Sequence, residues 1–199
     1  MKGRLALDVS FLLPMLLLFL RSHPGDVLLF FLAVLLHEIG HLLALAHYGA
    51  LPKHLRLSLT GASLEIEDPY LSYKKEAMVF LAGPLAGLLG CAGTVLWLRW
   101  QFHRSGMLFF SFNLLLTLFN LLPIRSLDGG GALYALLCRI GEEETAERIS
   151  RWVHFAALAV LLLFSIRILQ TEKNPSLLIL SLTLLADDRR KRKKATITS

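Results

Sequence analysis

The sequence has few cysteines and few charges, and long stretches of it contain no ionisable residue at all. Its 199 residues include only two cysteines, Cys91 and Cys138, which lie far apart and without C-x-x-C spacing. This argues against a disulfide framework and a cysteine-based metal cluster. Charged residues make up 18% of the chain and hydrophobic residues 55%, and the mean hydropathy is +0.58. This composition is typical of an integral membrane protein.

The apolar residues are gathered into runs, and about 20 helical residues cross a hydrocarbon core of roughly 30 Å. We expect a single all-α integral membrane domain, residues 1–199, that ends in a basic cytoplasmic tail, 187–199. The first run is expected to be a retained span, since Asp8 and Pro14 interrupt it and no small-residue cleavage site follows it. The six predicted spans are 5–20, 27–48, 77–98, 107–122, 153–169 and 177–186.

The segment 55–67, between the second and third runs, alternates apolar and polar residues on both sides of Gly61. Alternation with a central glycine predicts a short β-hairpin. Two roles remain open for it: a cover at the membrane surface, or a strand edge to which an extended peptide adds.

The positive charges are distributed unevenly around the six predicted spans. The formal net charge is +6, and 16 of the 21 lysines and arginines fall on the side of the two termini. Because positive residues concentrate on the cytoplasmic side, both termini are predicted to be cytoplasmic. Basic residues at span ends and in the tail are a topology signal, so no nucleic-acid partner is expected.

The second run contains His37-Glu-Ile-Gly-His41, an H-E-x-x-H pattern inside an apolar segment. On a helix, residues i and i+4 share a face, so both imidazoles can reach one ion while Glu38 lies near the open position of that ion. The alternative is a chance match with two core histidines. His37 lies eleven residues after Asp26, about 16 Å along a helix, and unpaired ionisable groups near mid-bilayer are costly. The metal-site interpretation is therefore favoured.

A catalytic zinc usually has three protein ligands, so one more must come from elsewhere in the chain. The best candidate is Asp128, which follows the fourth run and Pro123 and precedes three glycines. Proline ends or kinks a helix, and glycines let the backbone pass close to a neighbour. A plain helix-capping role for Asp128 is the alternative.

Together these motifs resemble those of the site-2 proteases, which are intramembrane zinc metalloproteases, and most closely the stage IV sporulation type. The resemblance rests on His37-Glu-Ile-Gly-His41, on Asn120-Leu-Leu-Pro-Ile with Leu127-Asp-Gly-Gly130, on Ala82-Gly-Pro84 and on the hairpin. It extends over nearly the whole chain. One departure is Leu85-Ala-Gly87, where many relatives carry a polar residue shortly after Gly-Pro.

The resemblance implies a function and a set of site residues. His37, His41 and Asp128 would be the zinc ligands, Glu38 the general acid/base, and Asn120 a substrate-binding residue near the catalytic centre. The implied activity is that of a zinc metalloendopeptidase in a bacterial cell membrane, which carries out regulated proteolysis of a membrane-associated protein such as a pro-sigma factor in sporulation.

The resemblance also bears on partners. We expect a membrane-associated protein substrate and the lipid bilayer as partners, while an inhibitory membrane protein is left open. Sporulation-type members commonly carry a nucleotide-sensing domain of paired CBS motifs, which is not expected here because the sequence ends in the basic tail. Two other functions compete. They are a catalytically silent membrane adaptor of the same fold, disfavoured because every ligand and Glu38 are present, and a metal transporter, for which no second ligand cluster is found.

Overall fold

The computed structural model describes residues 5–7, 23–50, 54–58, 61–65 and 71–186. This part of the chain is mainly helical, with three short strands. The strands are β1 (Leu5–Leu7), β2 (His54–Ser58) and β3 (Gly61–Glu65). The helices are α1 (Pro24–His47), α2 (Tyr73–Leu98), α3 (Arg104–Asn120), α4 (Asp128–Ile140), α5 (Glu143–Glu172) and α6 (Ser176–Ala186).

Helix α1 has clear start and stop signals. Pro24 is the first helical residue and Asp26 lies in the first turn, where a fixed φ and a negative charge both favour a helix start. The helix ends before Gly49, whose φ of 70° is a left-handed conformation that glycine adopts without strain. The 24 residues of α1 give a length of about 36 Å, enough to cross a membrane.

Helix α2 is central and contacts α1, α3 and α4. Small residues make these contacts close. A Cβ on Gly40 of α1 would lie 2.7 Å from Ala86 Cβ, and a Cβ on Gly90 would lie 2.6 Å from Leu36 Cδ2. Glycine at such positions lets helix backbones approach within the membrane. The third run thus folds as the helix against which the others pack.

The predicted span 153–169 lies within a longer helix, because α5 runs unbroken from Glu143 to Glu172 and includes the polar residues before the span. No proline or glycine separates the two parts, and the ion pairs Glu144–Arg148 and Glu147–Arg151 have i,i+4 spacing, which supports a helix. The apolar half of α5 packs on α6 through Leu158 and Leu184.

The strands form one sheet in the order β1-β2-β3. In the segment where the sequence predicts a hairpin, β2 and β3 pair antiparallel, with Leu55 opposite Leu64 and Ser58 opposite Gly61. Strand β1 pairs parallel with β2, with Leu5 opposite Leu55. The predicted span 5–20 is therefore wrong at its start, because residues 5–7 form main-chain hydrogen bonds in the sheet. Residues 8–20 of that span lie outside the described residues.

Among the described residues, three helices, α1, α2 and α5, are long and apolar enough to cross a membrane. Many of their large apolar side chains are exposed, for example Leu28, Leu89 and Val160. Exposed apolar surface on apolar helices is expected to face lipid. The protein is therefore a membrane protein. The last predicted span, 177–186, falls within the shorter apolar helix α6.

Candidate metal centre

His37 and His41 lie one turn apart on α1 and face the same side. Both are buried, their ring centroids are 5.0 Å apart and the rings are inclined by 76°. Their Nε2 atoms are 3.2 Å apart. The i and i+4 spacing of the motif thus brings two nitrogen ligand atoms to one point, as the sequence predicts.

The loop between α3 and α4 brings Asp128 to this point. A turn follows Pro123, with the Leu127 amide donating to the Ile124 carbonyl at 2.8 Å. Asp128 is then the first residue of α4. Gly129 and Gly130 lie against the Leu121 and Ile124 carbonyls so closely that a Cβ at either position would overlap them. The glycines after Asp128 are therefore required by the folding of α4 back onto its own loop.

Asp128 completes a three-membered cluster. Its Oδ2 atom is 2.9 Å from His37 Nε2 and 3.2 Å from His41 Nε2. The helix-capping alternative does not describe this carboxylate, because Leu127 holds the cap position and the Asp128 side chain points to the histidines. Three ligand atoms from two helices lie within 4.8 Å of one another.

The dimensions of the cluster fit zinc. Zinc binds imidazole nitrogen at about 2.0–2.1 Å and carboxylate oxygen at about 2.0–2.2 Å, so tetrahedral ligands lie about 3.3 Å apart. The observed separations of 2.9, 3.2 and 3.2 Å are close to that value. A His-His-carboxylate set that leaves a fourth position open is also characteristic of catalytic zinc sites.

Contacts behind the ligands orient them. His41 Nδ1 donates to the Val79 carbonyl at 2.8 Å, which leaves Nε2 unprotonated and able to bind a metal. Val79 lies on α2, shortly before Pro84. His37 Nδ1 is buried and has no hydrogen-bond partner among the described residues.

Gly83 of α2 forms the wall against which the two imidazoles rest. A Cβ there would overlap His41 Nε2 and would lie 2.7 Å from His37 Nε2. Gly83 belongs to Ala82-Gly-Pro84, one of the motifs that carry the resemblance, but the sequence alone assigns this glycine no contact with the histidines.

Asp128 would bind a cation as the ionised carboxylate, and the two imidazoles would bind it through unprotonated Nε2 atoms.

Two further site residues of the sequence analysis lie nearby along the chain. Glu38 is half-buried on α1, directly after His37. Asn120 is the last residue of α3 and is buried, and its Nδ2 donates to the Leu116 carbonyl of its own helix at 3.1 Å. Their roles remain predictions.

A polar stripe on α3 was missed by the sequence reasoning. Asn113 and Thr117 are fully buried and precede Asn120 at helical spacing. Thr117 occupies the space beside Gly87, and Asn113 lies against Gly90, where an added Cβ would be 3.0 Å from Asn113 Oδ1. Polar residues with this spacing inside an apolar run were a signal for a buried polar face.

The chain is similar to known proteases. Peptidase family M50 matches residues 97–164, a segment that includes Asn120 and Asp128. Stage IV sporulation protein FB of Bacillus subtilis is 32% identical over 134 residues, which are 66% of this chain and 46% of that protein. A zinc metalloprotease of Methanocaldococcus jannaschii is 29% identical over 147 residues, 70% of this chain and 42% of that protein.

A solved structure shares the fold. The site-2 protease from Methanocaldococcus jannaschii superposes with a TM-score of 0.68 at 22% identity, covering 90% of this chain and 86% of the other. The chain spans less than half the length of the curated relatives it matches. The sequence matches, this fold and the His-His-Asp cluster confirm the resemblance seen in the motifs, which is to the site-2 proteases of peptidase family M50.

Proposed function

We propose that the protein is an intramembrane zinc metalloendopeptidase that carries out regulated proteolysis of a membrane-associated protein. The observation that carries this proposal is the cluster of His37, His41 and Asp128, with ligand separations of 2.9 to 3.2 Å, built on an apolar helix long enough to cross a membrane. Buried ionisable residues within an apolar span are expected to be functional.

Each site residue has a distinct role in the proposed reaction. His37, His41 and Asp128 hold the zinc. Bound there, zinc supplies Lewis-acid polarisation of the scissile carbonyl and lowers the pKa of water. Glu38 accepts a proton from the attacking water and delivers one to the leaving amine. Asn120 binds the substrate backbone near the centre.

The substrate must be presented in an extended form, because a helix hides its amides in hydrogen bonds. The sheet supports a role in this step. Among the described strands, β3 pairs with β2 on one side only, and an extended peptide can add to such an edge. We propose that the hairpin receives the unwound substrate.

The topology we propose is six spans within one domain, residues 1–199, with both termini on the cytoplasmic side of a bacterial cell membrane and 187–199 as a basic tail. The charge asymmetry of 16 to 5 supports the orientation. The ion pair between Asp26 at the start of α1 and Arg104 at the start of α3 supports a parallel arrangement of these two helices.

A pro-sigma factor in sporulation is the substrate class we favour. The relative named stage IV sporulation protein FB supports this choice, and an inhibitory membrane protein would be a further partner. The adaptor alternative has less support, because an adaptor does not require an intact ligand set together with Glu38.

Co-expression tests the proposal. The protein, or its Glu38→Gln variant, would be produced with candidate membrane-associated pro-sigma or anti-sigma factors, and mass spectrometry would identify new termini. A new terminus with the native protein and none with the variant is expected. Equal cleavage by both would refute the catalytic role of Glu38, and a zinc-loaded protein that cleaves no candidate would favour the adaptor.

A further inference from the structure

The loop that delivers Asp128 is attached to α5 by a buried histidine. His154 is fully buried, and its Nδ1 accepts a hydrogen bond from the Arg125 amide at 3.2 Å. In the sequence, His154 lies at the start of the predicted span 153–169. Because its ring bonds to main chain three residues before Asp128, it acts on the position of the loop.

Other contacts of the same loop converge on α5. Ile124 and Leu127 form a buried cluster with Leu158, and the Arg125 guanidinium forms an ion pair with Glu147. The apolar contacts are not directional, whereas a hydrogen bond from the Arg125 amide to a buried ring specifies where the amide lies. His154 thus joins a side chain of α5 to the main chain of this loop by a part-buried hydrogen bond.

Close contacts between the loop and the start of α4 fix their relative positions. Gly129 and Gly130 are in the closest contact with carbonyls of the loop, so a shift of residues 121–127 moves α4 and its first residue, Asp128. A metal ligand that is displaced by a fraction of an ångström binds less tightly, and outer contacts that orient ligands typically change metal affinity 10–100-fold when they are lost.

We propose that His154 is a positioning residue that sets the place of Asp128 in the metal cluster through the Arg125 amide. The inference rests on the proposed zinc site, to which it adds a residue of α5. The effect of His154 is carried by the main chain from Arg125 to Asp128.

Two substitutions separate the hydrogen bond from simple packing. His154→Leu keeps an apolar side chain but removes the acceptor. His154→Asn is smaller, yet its Oδ1 is attached to Cγ as Nδ1 is in histidine, so it can accept the same hydrogen bond. Ser165→Ala is the matched control, since Ser165 is a fully buried hydrogen-bonding residue of α5 whose contact is with Ser181 instead of the loop.

The measurements are zinc affinity in the full-length protein, by competition with a chelator, and hydrogen exchange of the segment 121–127. We expect about a 10-fold or greater loss of affinity in His154→Leu with faster exchange in the loop. His154→Asn should recover most of the affinity, and Ser165→Ala should bind zinc as the native protein does. If His154 acted only by packing, the smaller side chain of His154→Asn would give a zinc affinity no higher than that of His154→Leu.

Several results would overturn the inference. Equal zinc affinity and exchange in the native protein and His154→Leu would remove the positioning role while leaving the zinc site intact. If His154→Leu does not insert, His154→Gln, whose acceptor lies one bond further out, replaces it, and equal affinity of the Gln and Asn variants is then the contrary result. Absence of zinc from the native protein would instead refute the proposed function.

Discussion

At the scale of single residues, neighbours in the H-E-x-x-H motif have different proposed roles. His37 and His41 point to Asp128, with Nε2 atoms 2.9 and 3.2 Å from its Oδ2. Glu38 lies beside His37 in sequence but about 100° around the helix. A ligand and a proton carrier can thus be tested separately.

Glu38→Gln keeps the size and shape of the side chain but removes the proton acceptor. We expect zinc content to stay at about one per chain, while cleavage falls by the ~10²–10⁴-fold typical of a lost general acid/base. Metal analysis of the purified variant and quantitative cleavage in co-expression would check this. Cleavage at the native rate would contradict the assigned role.

Asp128→Ala removes a ligand, so it should lower zinc content as well as activity. Asp128→Asn should fall between Ala and the native residue, because an amide oxygen is a neutral and weaker donor. The measurement is the zinc content per chain of the native protein and of the two variants, taken after gel filtration without chelator. Full zinc and activity in Asp128→Ala would mean that the third ligand lies elsewhere.

Much of this cluster could be predicted from sequence, because the i and i+4 histidines need only a helix to converge. Asp128 is harder, since it lies 87 residues after His41 and its proline and glycine context left a helix-capping role open. The Val79 carbonyl and Gly83 could not be assigned to the site from sequence, because main-chain atoms and glycine carry no chemical signal of their own. Their contribution depends on which face of α2 meets α1.

At the scale of elements, α2 supports the site by its lack of side chains at selected positions. Gly83 faces the two imidazoles and Gly87 faces Thr117. A Cβ at Gly93 of the same helix would meet nothing within 4 Å. The glycines of α2 are therefore not equivalent. Sequence spacing alone does not reveal which of these glycines contact a neighbouring side chain.

This difference gives a matched pair of substitutions. Gly83→Ala would drive a methyl group into His41 Nε2, so we expect reduced zinc affinity and activity. Gly93→Ala should leave both unchanged and raise helix stability slightly, since alanine is favoured over glycine in a helix by up to about 1 kcal/mol. Zinc titration and thermal unfolding in detergent would distinguish them. Equal zinc affinity of the two variants would contradict this prediction and would show that the imidazoles can move away from the added methyl group.

At the scale of the whole molecule, the metal would join parts that are far apart in sequence. Its ligands come from α1 and α4, and both helices pack on α2. A ligand that binds only the folded state stabilises that state. Zinc should therefore stabilise the folded protein in addition to its catalytic role.

Removing zinc should lower the unfolding temperature of the native protein. At zinc concentrations 100 times the dissociation constant, the stabilisation is about 2.7 kcal/mol. Thermal unfolding in detergent with zinc or with a chelator would measure the shift. Asp128→Ala is the control and should show little shift, whereas an equal shift in both proteins would point to metal binding outside the cluster.

The orientation in the membrane is the last prediction, and it depends on the charge distribution of the whole chain. Lysines and arginines divide 16 to 5 between the two sides, and the positive-inside rule then places the termini in the cytoplasm. The Asp26–Arg104 ion pair puts the starts of α1 and α3 at the same end of the helices. The turn between α2 and α3 lies at this end, which should be on the external side if the termini are cytoplasmic. A reporter that requires export should be active when inserted at Gln101, and a reporter that requires the cytoplasm should be active after Ser199. Activity of the Ser199 fusion only outside the cytoplasm would overturn the six-span arrangement, because an even number of spans keeps both ends on one side.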